Sequence, residues 1–243
     1  MRSLGWIVEN GFFIKKFLFT SIIKAQHFTH LDLEKIKKYH PFLVKLEPLQ
    51  KVDIPGFKKD SWPWIPTKTI ILDLEKIVLN KDIRYEIRKA ERAKINVIAR
   101  SADDEAIFPN FDVFIKLWHQ NAKNRGFWIP LHKEIRNLAT AFGKDCILFF
   151  SPLAGALIVL NSKTAHYMYA FSTPAGRKVS VPYLVMWELI KFLKAKKIKF
   201  LNLEGIYDDR YPDSTKNWKG FTAFKMQWGG KVIEYPGSFT KYF

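Results

Sequence analysis

Residues 146–205 read CILFFSPLAGALIVLNSKTAHYMYAFSTPAGRKVSVPYLVMWELIKFLKAKKIKFLNLEG, and this stretch decides the fold class. Cys146–Ser151 and Gly155–Leu160 are two apolar runs interrupted at Pro152, the pattern of a buried hairpin. Ala165–Ser172 predicts a third strand. Pro182–Lys196 predicts a helix with its proline at a permissible first-turn position. Lys199–Leu203 predicts a further strand. Hairpins and helix-linked strands within one short stretch argue for α+β with mixed α/β sheets, and against a TIM barrel or a Rossmann domain.

The same grammar extends outward. Towards the N-terminus, Gly5–Val8 and Phe12–Gln26 flank Glu9-Asn10-Gly11, an Asn-Gly turn signal. Asp32–Lys38 predicts a short helix, and Phe42–Leu46 a strand. Five prolines or glycines punctuate residues 48–68. Thr69–Leu74 is a buried-looking strand, Asp82–Lys94 a helix and Ile95–Arg100 a strand. Asn110–Arg125 and Lys133–Phe142 are helices. Towards the C-terminus, Ala223–Trp228 predicts a helical turn and Val232–Tyr235 a last strand.

The chain has 243 residues, enough for one large domain or two small ones. With 48% hydrophobic and 26% charged residues it is globular rather than disordered, and 21 Phe and 8 Trp supply bulk for a core. The one cysteine, Cys146, excludes a disulfide scaffold and a thiolate zinc site, and suits a reducing cytosol. Lys15, Lys16 and Lys24 break the greasy N-terminal run. Its longest uncharged piece nearby, Phe17–Ile23, is far short of the ~20 residues of a spanning helix, so no targeting or spanning segment is expected. A cytoplasmic chain is the expectation.

The formal charge is +17. Such an excess speaks about partners: nucleic acid, phosphorylated small molecules or an anionic membrane surface. It is uneven, with 8 basic residues against 1 acid in 151–200. Arg84, Arg88 and Arg92 recur at i, i+4, i+8 and stack guanidiniums along one helix face. Such a row suits phosphates, and equally suits a solvated face partly neutralised by Glu86 and Glu91. The five lysines of 191–199 sit where cations favour a helix C-terminus. Six scattered histidines, with only His27 and His30 close in sequence, make no metal site. There is no G-x-G-x-x-G, Walker A or G-x-S-x-G, so a nucleotide cofactor of those kinds and a serine nucleophile are not expected.

Residues 201–239 carry the densest signal. A strand ends at Glu204-Gly205, a polar loop follows, and then come Gly220-Phe221, Phe224-Lys225 and Trp228-Gly229-Gly230. Paired glycines permit positive φ and close backbone approach. Read alone, this stretch is a turn closing a domain with its aromatics in a core.

Four stretches in order resemble the Fem-type peptidoglycan-bridge aminoacyltransferases, a branch of the GNAT-like acyltransferases. They are Phe42–Pro48; Lys68–Leu74 with Arg84–Arg92; Tyr167–Ser172 with Pro182–Glu188; and Gly220–Lys225 with Trp228-Gly229-Gly230 and Tyr235-Pro236-Gly237. The resemblance implies two GNAT-like domains with mixed sheets: a shortened first domain over 1–99 and a second over 100–243, with 231–243 returning to the first. Arg2-Ser3-Leu4-Gly5-Trp6 resembles a point inside the family's first domain, hence the shortening.

The resemblance also implies an activity: transfer of an amino acid from aminoacyl-tRNA to an amine of a lipid-linked or UDP-linked peptidoglycan precursor. No cofactor beyond these co-substrates is implied, and no metal. An ester donor is already activated, so the reaction needs placement and oxyanion stabilisation rather than an enzyme nucleophile. By resemblance, Lys225 with the backbone of Phe224 takes the oxyanion. Asp73 orients the amine. Arg84, Arg88 and Arg125 meet precursor phosphates. Tyr167 and Tyr169, expected on one face of a strand, line the site with Trp228. Peripheral contact with the inner membrane leaflet also fits the charge. Two other readings stand beside this one: an acyl-CoA-dependent N-acyltransferase, for which Thr173–Val181 supplies only Gly176, and a non-catalytic RNA- or membrane-binding relative.

Overall fold

The computed structural model describes residues 5–104, 108–126 and 132–243, so the opening residues 1–4 lie outside it. The chain forms two compact units: Met1–Thr69 with Gly205–Lys216 and Ile233–Phe243, and Ile70–Glu204 with Asn217–Val232. The division falls at residue 70 rather than at 100. The strand at 68–73 straddles the division, and its residues 70–73 and the helix after it fall in the second unit, where that helix packs its apolar face on a helix of the 146–205 stretch.

The first unit holds β1 (Ile7–Glu9), β2 (Phe12–Lys16), β3 (Ser21–Phe28), β4 (Pro41–Pro48), β5 (Lys58–Lys59) and β13 (Phe239–Tyr242). They form a six-stranded sheet in the order β1-β2-β3-β4-β13-β5. β3 and β4 are parallel and the other pairs antiparallel, so the sheet is mixed. The long run Phe12–Gln26 is two strands, split at Phe17–Thr20. The link from β3 to β4 is a 3₁₀ helix, Leu33–Tyr39, capped by the Asp32 carboxylate and ended by His40 in the left-handed region. The alternation of Phe12, Ile14, Ile23, Ala25, Val44 and Leu46 puts one face of the sheet into a buried cluster with Ile36.

A polar network stands within this unit in the 206–216 segment, which the sequence shows only as a loop. Asp208 is buried, and its carboxylate accepts from Thr67 Oγ1 at 2.6 Å and from Arg210 Nη2 at 2.7 Å and Nε at 3.0 Å. Arg210 also donates to the carbonyls of Thr67 and Tyr235, both at 3.0 Å. A buried carboxylate needs such saturation to stay charged. Burial works against the charged form, but the Arg210 guanidinium and the Thr67 hydroxyl outweigh it and hold the carboxyl below its usual range.

The second sheet has seven strands: β12 (Lys231–Glu234), β6 (Lys68–Asp73), β11 (Phe200–Gly205), β10 (Thr164–Ser172), β9 (Ala154–Asn161), β8 (Cys146–Phe150) and β7 (Ile98–Ser101), in that order. β10 and β11 are parallel; β7 to β10 are antiparallel. Lys231–Glu234 thus lies on the edge of this sheet, and only Phe239–Tyr242 joins the first. The helices are α1 (Lys81–Arg92), α2 (Phe108–Asn124), α3 (His132–Phe142), α4 (Pro174–Lys178), α5 (Val181–Ala195), α6 (Pro212–Thr215) and α7 (Lys219–Gln227). One face of the sheet carries α2 and α3 over a core of Phe114, Ile115, Leu148, Leu157 and Phe171. Phe149 of β8 meets Phe192 of α5 edge-on at 5.4 Å on the other face. There α1 contributes Ile83, Ile87 and Ala90, which are buried, and α5 and α1 pack together. Among the described residues no helix is long and apolar enough to cross a membrane.

Candidate functional site

α7 is the GFTAFK segment made helical. Its 3.6-residue repeat places Phe221 and Lys225 on one face, one turn apart, and Phe224 and Trp228 on the next. Lys225 is only 7% exposed. Its Nζ lies 4.6 Å from the centroid of the Phe221 ring, a cation–π contact. Removal from water pushes the ammonium down from its ordinary value to about 7, with the negative charge of Glu204 acting in the opposite direction.

Glu204 is held firmly. It is the last residue but one of β11 and lies in the left-handed region, with φ of 58°. Its amide donates to Asn202 Oδ1 at 2.8 Å, and its Oε1 lies 2.8 Å from Nδ1 of His166 on β10. A non-glycine residue in that conformation is uncommon, and side-chain anchoring on both flanks is what keeps it there. The sequence shows Glu204 as a strand end and His166 as one of six scattered histidines; the pair forms because β10 and β11 run parallel with His166 opposite Asn202.

Next to Lys225 an aromatic cluster joins α7 to α5. Tyr183 meets Phe224 edge-on at 5.1 Å, and Trp228 lies 6.2 Å from both rings. The Tyr183 hydroxyl donates to Gln227 Oε1 at 2.6 Å. Trp228 is buried, yet among the described residues its Nε1 finds no hydrogen-bond partner. The Phe224 amide is inside α7, where helical N–H groups are taken by the carbonyl four residues back. Phe224 therefore brings its ring to the cluster rather than a free backbone donor.

The paired glycines seat this segment. Gly229 and Gly230 have φ of 77° and 93°. A Cβ on Gly230 would fall 2.7 Å from the Ile71 carbonyl oxygen and 2.6 Å from the Leu72 side chain of β6. Only glycine lets the chain leave α7 this close to the sheet.

The other expected residues sit on β6, α1, the end of α2 and β10. Asp73 ends β6, where its Oδ1 accepts from the Glu75 amide at 3.1 Å and its Oδ2 lies 3.7 Å from Lys76 Nζ; these contacts build the 73–76 turn. Arg84 and Arg88 are exposed along α1. Arg125, just after α2, is half-buried, and burial together with the nearby Arg177 charge makes its guanidinium easier to deprotonate than usual. Arg177, absent from the sequence expectations, is pinned by a hydrogen bond to the Ser172 carbonyl. Its position follows from Thr173, which caps α4 by accepting the Gly176 amide at 3.0 Å, a Thr-Pro-Ala-Gly start signal legible in retrospect.

Tyr167 and Tyr169 do not share a face. The register slips between them: Tyr167 pairs with Ile158, but Tyr169 with Leu157, the adjacent residue of β9. This bulge at Met168 inserts one residue and sends the two rings to opposite sides. Tyr169 packs on Trp118 of α2 at 5.0 Å. Tyr167 points to the α5 side, and burial raises its hydroxyl pKa strongly. Among the described residues no group of three His, Cys, Asp or Glu side chains could hold a metal ion.

The FemAB family model matches residues 131–243, the segment that contains Lys225, Glu204 and the aromatic cluster. No curated protein sequence matches the chain. Among solved structures the chain is similar to FemX, at 14% identity and a TM-score of 0.73, covering 100% of this chain and 89% of that one. It is similar to L-PGS from Bacillus licheniformis at 10% identity and a TM-score of 0.57, covering 95% and 80%. It is also similar to a tandem GNAT protein from the clavulanic acid biosynthesis pathway, at 8% identity and a TM-score of 0.53, covering 95% and 78%. The fold is therefore α+β with two GNAT-like units, each built on a mixed sheet.

Proposed function

We propose that this chain, with its FemAB-family match over 131–243, is a Fem-type aminoacyltransferase of cell-wall synthesis that takes an aminoacyl group from tRNA and places it on an amine of a peptidoglycan precursor. The observation that carries the reading is the burial of Lys225 inside the matched segment. A lysine with three-carbon reach beyond Cβ rarely gives up water without a chemical use for the charge.

The chemistry follows from that position. A neutral amine attacks the ester carbonyl carbon, and a carbon–nitrogen bond forms. The carbonyl oxygen becomes an oxyanion, which the Lys225 ammonium neutralises in a dry setting where one charge pair is worth far more than in water. The adduct collapses, the ester carbon–oxygen bond breaks, and the ribose hydroxyl leaves with the proton the amine gives up. Phe221 shields the ammonium, and Glu204, set by His166 and Asn202, opposes the loss of its proton. Because Lys225 deprotonates at about 7, the alkaline limb of the rate profile belongs to it. Arg125 and Arg177 on one side and the exposed Arg84 and Arg88 on α1 offer positive charge for phosphates.

The coenzyme A reading gains no support from the 173–181 loop. A Cβ on Gly176 would fall 2.3 Å from the Leu153 carbonyl oxygen, so this glycine is needed for packing against the β8–β9 turn rather than for a phosphate cradle.

The test is transfer from tRNA charged with labelled amino acids to a UDP-linked pentapeptide precursor or its lipid-linked form. Label should move to the precursor, ribonuclease should abolish the transfer, and acetyl-coenzyme A should not substitute. Transfer that survives ribonuclease, or that Lys225→Met leaves intact, removes the reading.

A further inference from the structure

The turn between β2 and β3 carries its most apolar residues at its most exposed point. Phe17 is 50% exposed, Leu18 94% and Phe19 91%. Turn tips normally carry Gly, Asn, Asp or Pro, and a Leu-Phe pair there has no packing role in the fold. The turn is nevertheless well fixed. The Phe17 amide donates to the Thr20 carbonyl at 2.8 Å, the Thr20 hydroxyl to the His40 carbonyl at 2.8 Å, and the Ser21 hydroxyl to the Tyr39 carbonyl at 2.8 Å. The apolar tip is thus held out by its own backbone and by the 39–40 segment.

The surroundings continue the pattern within the same unit. β3 runs away from the tip, parallel β4 starts beside it, and antiparallel β13 ends beside β4. That topology brings Phe42 to 6.2 Å from Phe17, and the Phe243 amide donates to the Phe42 carbonyl at 3.1 Å. Tyr242 is 75% exposed and Phe243 58%. Lysines frame this edge. Lys16 and Lys38 line a depression beside the tip, and Lys241 lies over the Phe243 ring at 4.7 Å. Residues 12–42 hold six lysines against two acids; Lys35 and Lys37 pair with Asp32 and Glu34, and Lys38 pairs with Glu9 at 2.8 Å.

We propose that the Phe17–Thr20 turn, with Phe42, Tyr242 and Phe243 beside it, inserts into the interface of a bilayer containing anionic lipid and docks the chain peripherally there. The chemistry points to a lipid surface because the two requirements meet on one edge. Exposed apolar rings are of a size to enter the headgroup–acyl boundary, and lysine stems can lay their methylenes along it while the ammonium groups meet anionic headgroups. A second copy of this chain would bring like charges together at the same edge, which disfavours that occupant. The inference does not depend on the transfer reaction. Under that reading, it would put the lipid-linked form of the precursor within reach.

The experiment is sedimentation of the whole chain with vesicles of phosphatidylcholine alone and with a quarter phosphatidylglycerol. Binding is expected on the anionic vesicles, weaker on the neutral ones, and reduced at 0.5 M salt as screening shortens the reach of the lysines. Leu18→Asp with Phe19→Asp should reduce partitioning at least about tenfold, since each side chain loses its apolar burial. Lys16→Glu should weaken binding to the anionic vesicles only. Unchanged urea midpoints confirm that these tip variants fold. The proposal is overturned if the wild type stays in the supernatant, or if the double Asp variant still pellets. It is equally overturned if that variant converts a solution dimer to a monomer without changing vesicle binding. Transfer to a soluble UDP-linked acceptor should be the same in the tip variants and the wild type, so failure of the transfer reading and failure of this one are read separately.

Discussion

Replacing Lys225 by methionine tests the buried ammonium without any substrate. Methionine keeps the length and removes the charge. The lysine drops from 10.5 to about 7 on folding, which corresponds to a penalty of about 5 kcal/mol on the charged form when fully expressed. Between those two pH values the unfolded chain holds a proton that the folded chain has released. The unfolded state therefore binds more protons, and stability rises with pH across the window from about 7 to 10.5. Below 7 both states are protonated and the penalty is complete; near 10.5 it is gone. Urea unfolding of wild type and Lys225→Met in parallel from pH 6 to pH 10 reads this directly, because every other titrating group is common to both. The variant should gain on the wild type at pH 6 by several kcal/mol more than at pH 10. The slope, rather than the offset, carries the test, since the variant also removes the partner of Glu204. A difference that stays flat with pH would show that Lys225 is solvated in the folded protein, and the oxyanion role would fall with it.

Three further outcomes follow from the same structure. Asp208→Ala leaves the Arg210 guanidinium without its buried carboxylate and should cost roughly 3–5 kcal/mol in urea unfolding; in the wild type this contribution is present above the usual carboxylate range and is lost as pH falls through the lowered folded value. Gly230→Ala forces a Cβ against the Ile71 carbonyl at a φ of 93°, so it should lower the unfolding free energy by more than the ~1 kcal/mol of an ordinary glycine replacement; a neutral result in urea unfolding would mean that β12 can move off β6. Cys146 is buried, and burial pushes its thiol up to about 12, so it should resist iodoacetamide at pH 8 until the chain is unfolded by denaturant.

Local pattern was enough for most elements. Ile83, Ile87 and Ala90 at helical spacing announced α1, and the Pro152 break announced the β8–β9 hairpin, because both signals live within a few residues. The first sheet was less legible. Phe12–Gln26 has no glycine or proline where β2 turns into β3, and that turn spends Leu18 and Phe19 at its tip, so hydropathy joined the two strands. The bulge at Met168 was invisible, since it is a mismatch of register with β9 rather than a property of Tyr167-Met168-Tyr169. At the site, Lys225 and its aromatic neighbours came from the order of motifs along the chain. Glu204 and His166 did not, because their pairing is made by the parallel contact of two strands far apart in sequence. Asp208 and Arg210 look like any charged loop until Thr67 is folded beneath them.

The placement of β13 between β4 and β5 has a bearing on how the chain is made. Lys59 pairs with Phe239, so the ribosome must add 180 residues after one partner before the other exists. At roughly 5–20 residues per second this is a wait of about 10–40 s, during which the nascent β4 presents an unsatisfied margin to the cell. The material for most of the second unit emerges within that interval. A translational pause near the end would prolong the interval, and chaperone occupancy of stalled chains should track it.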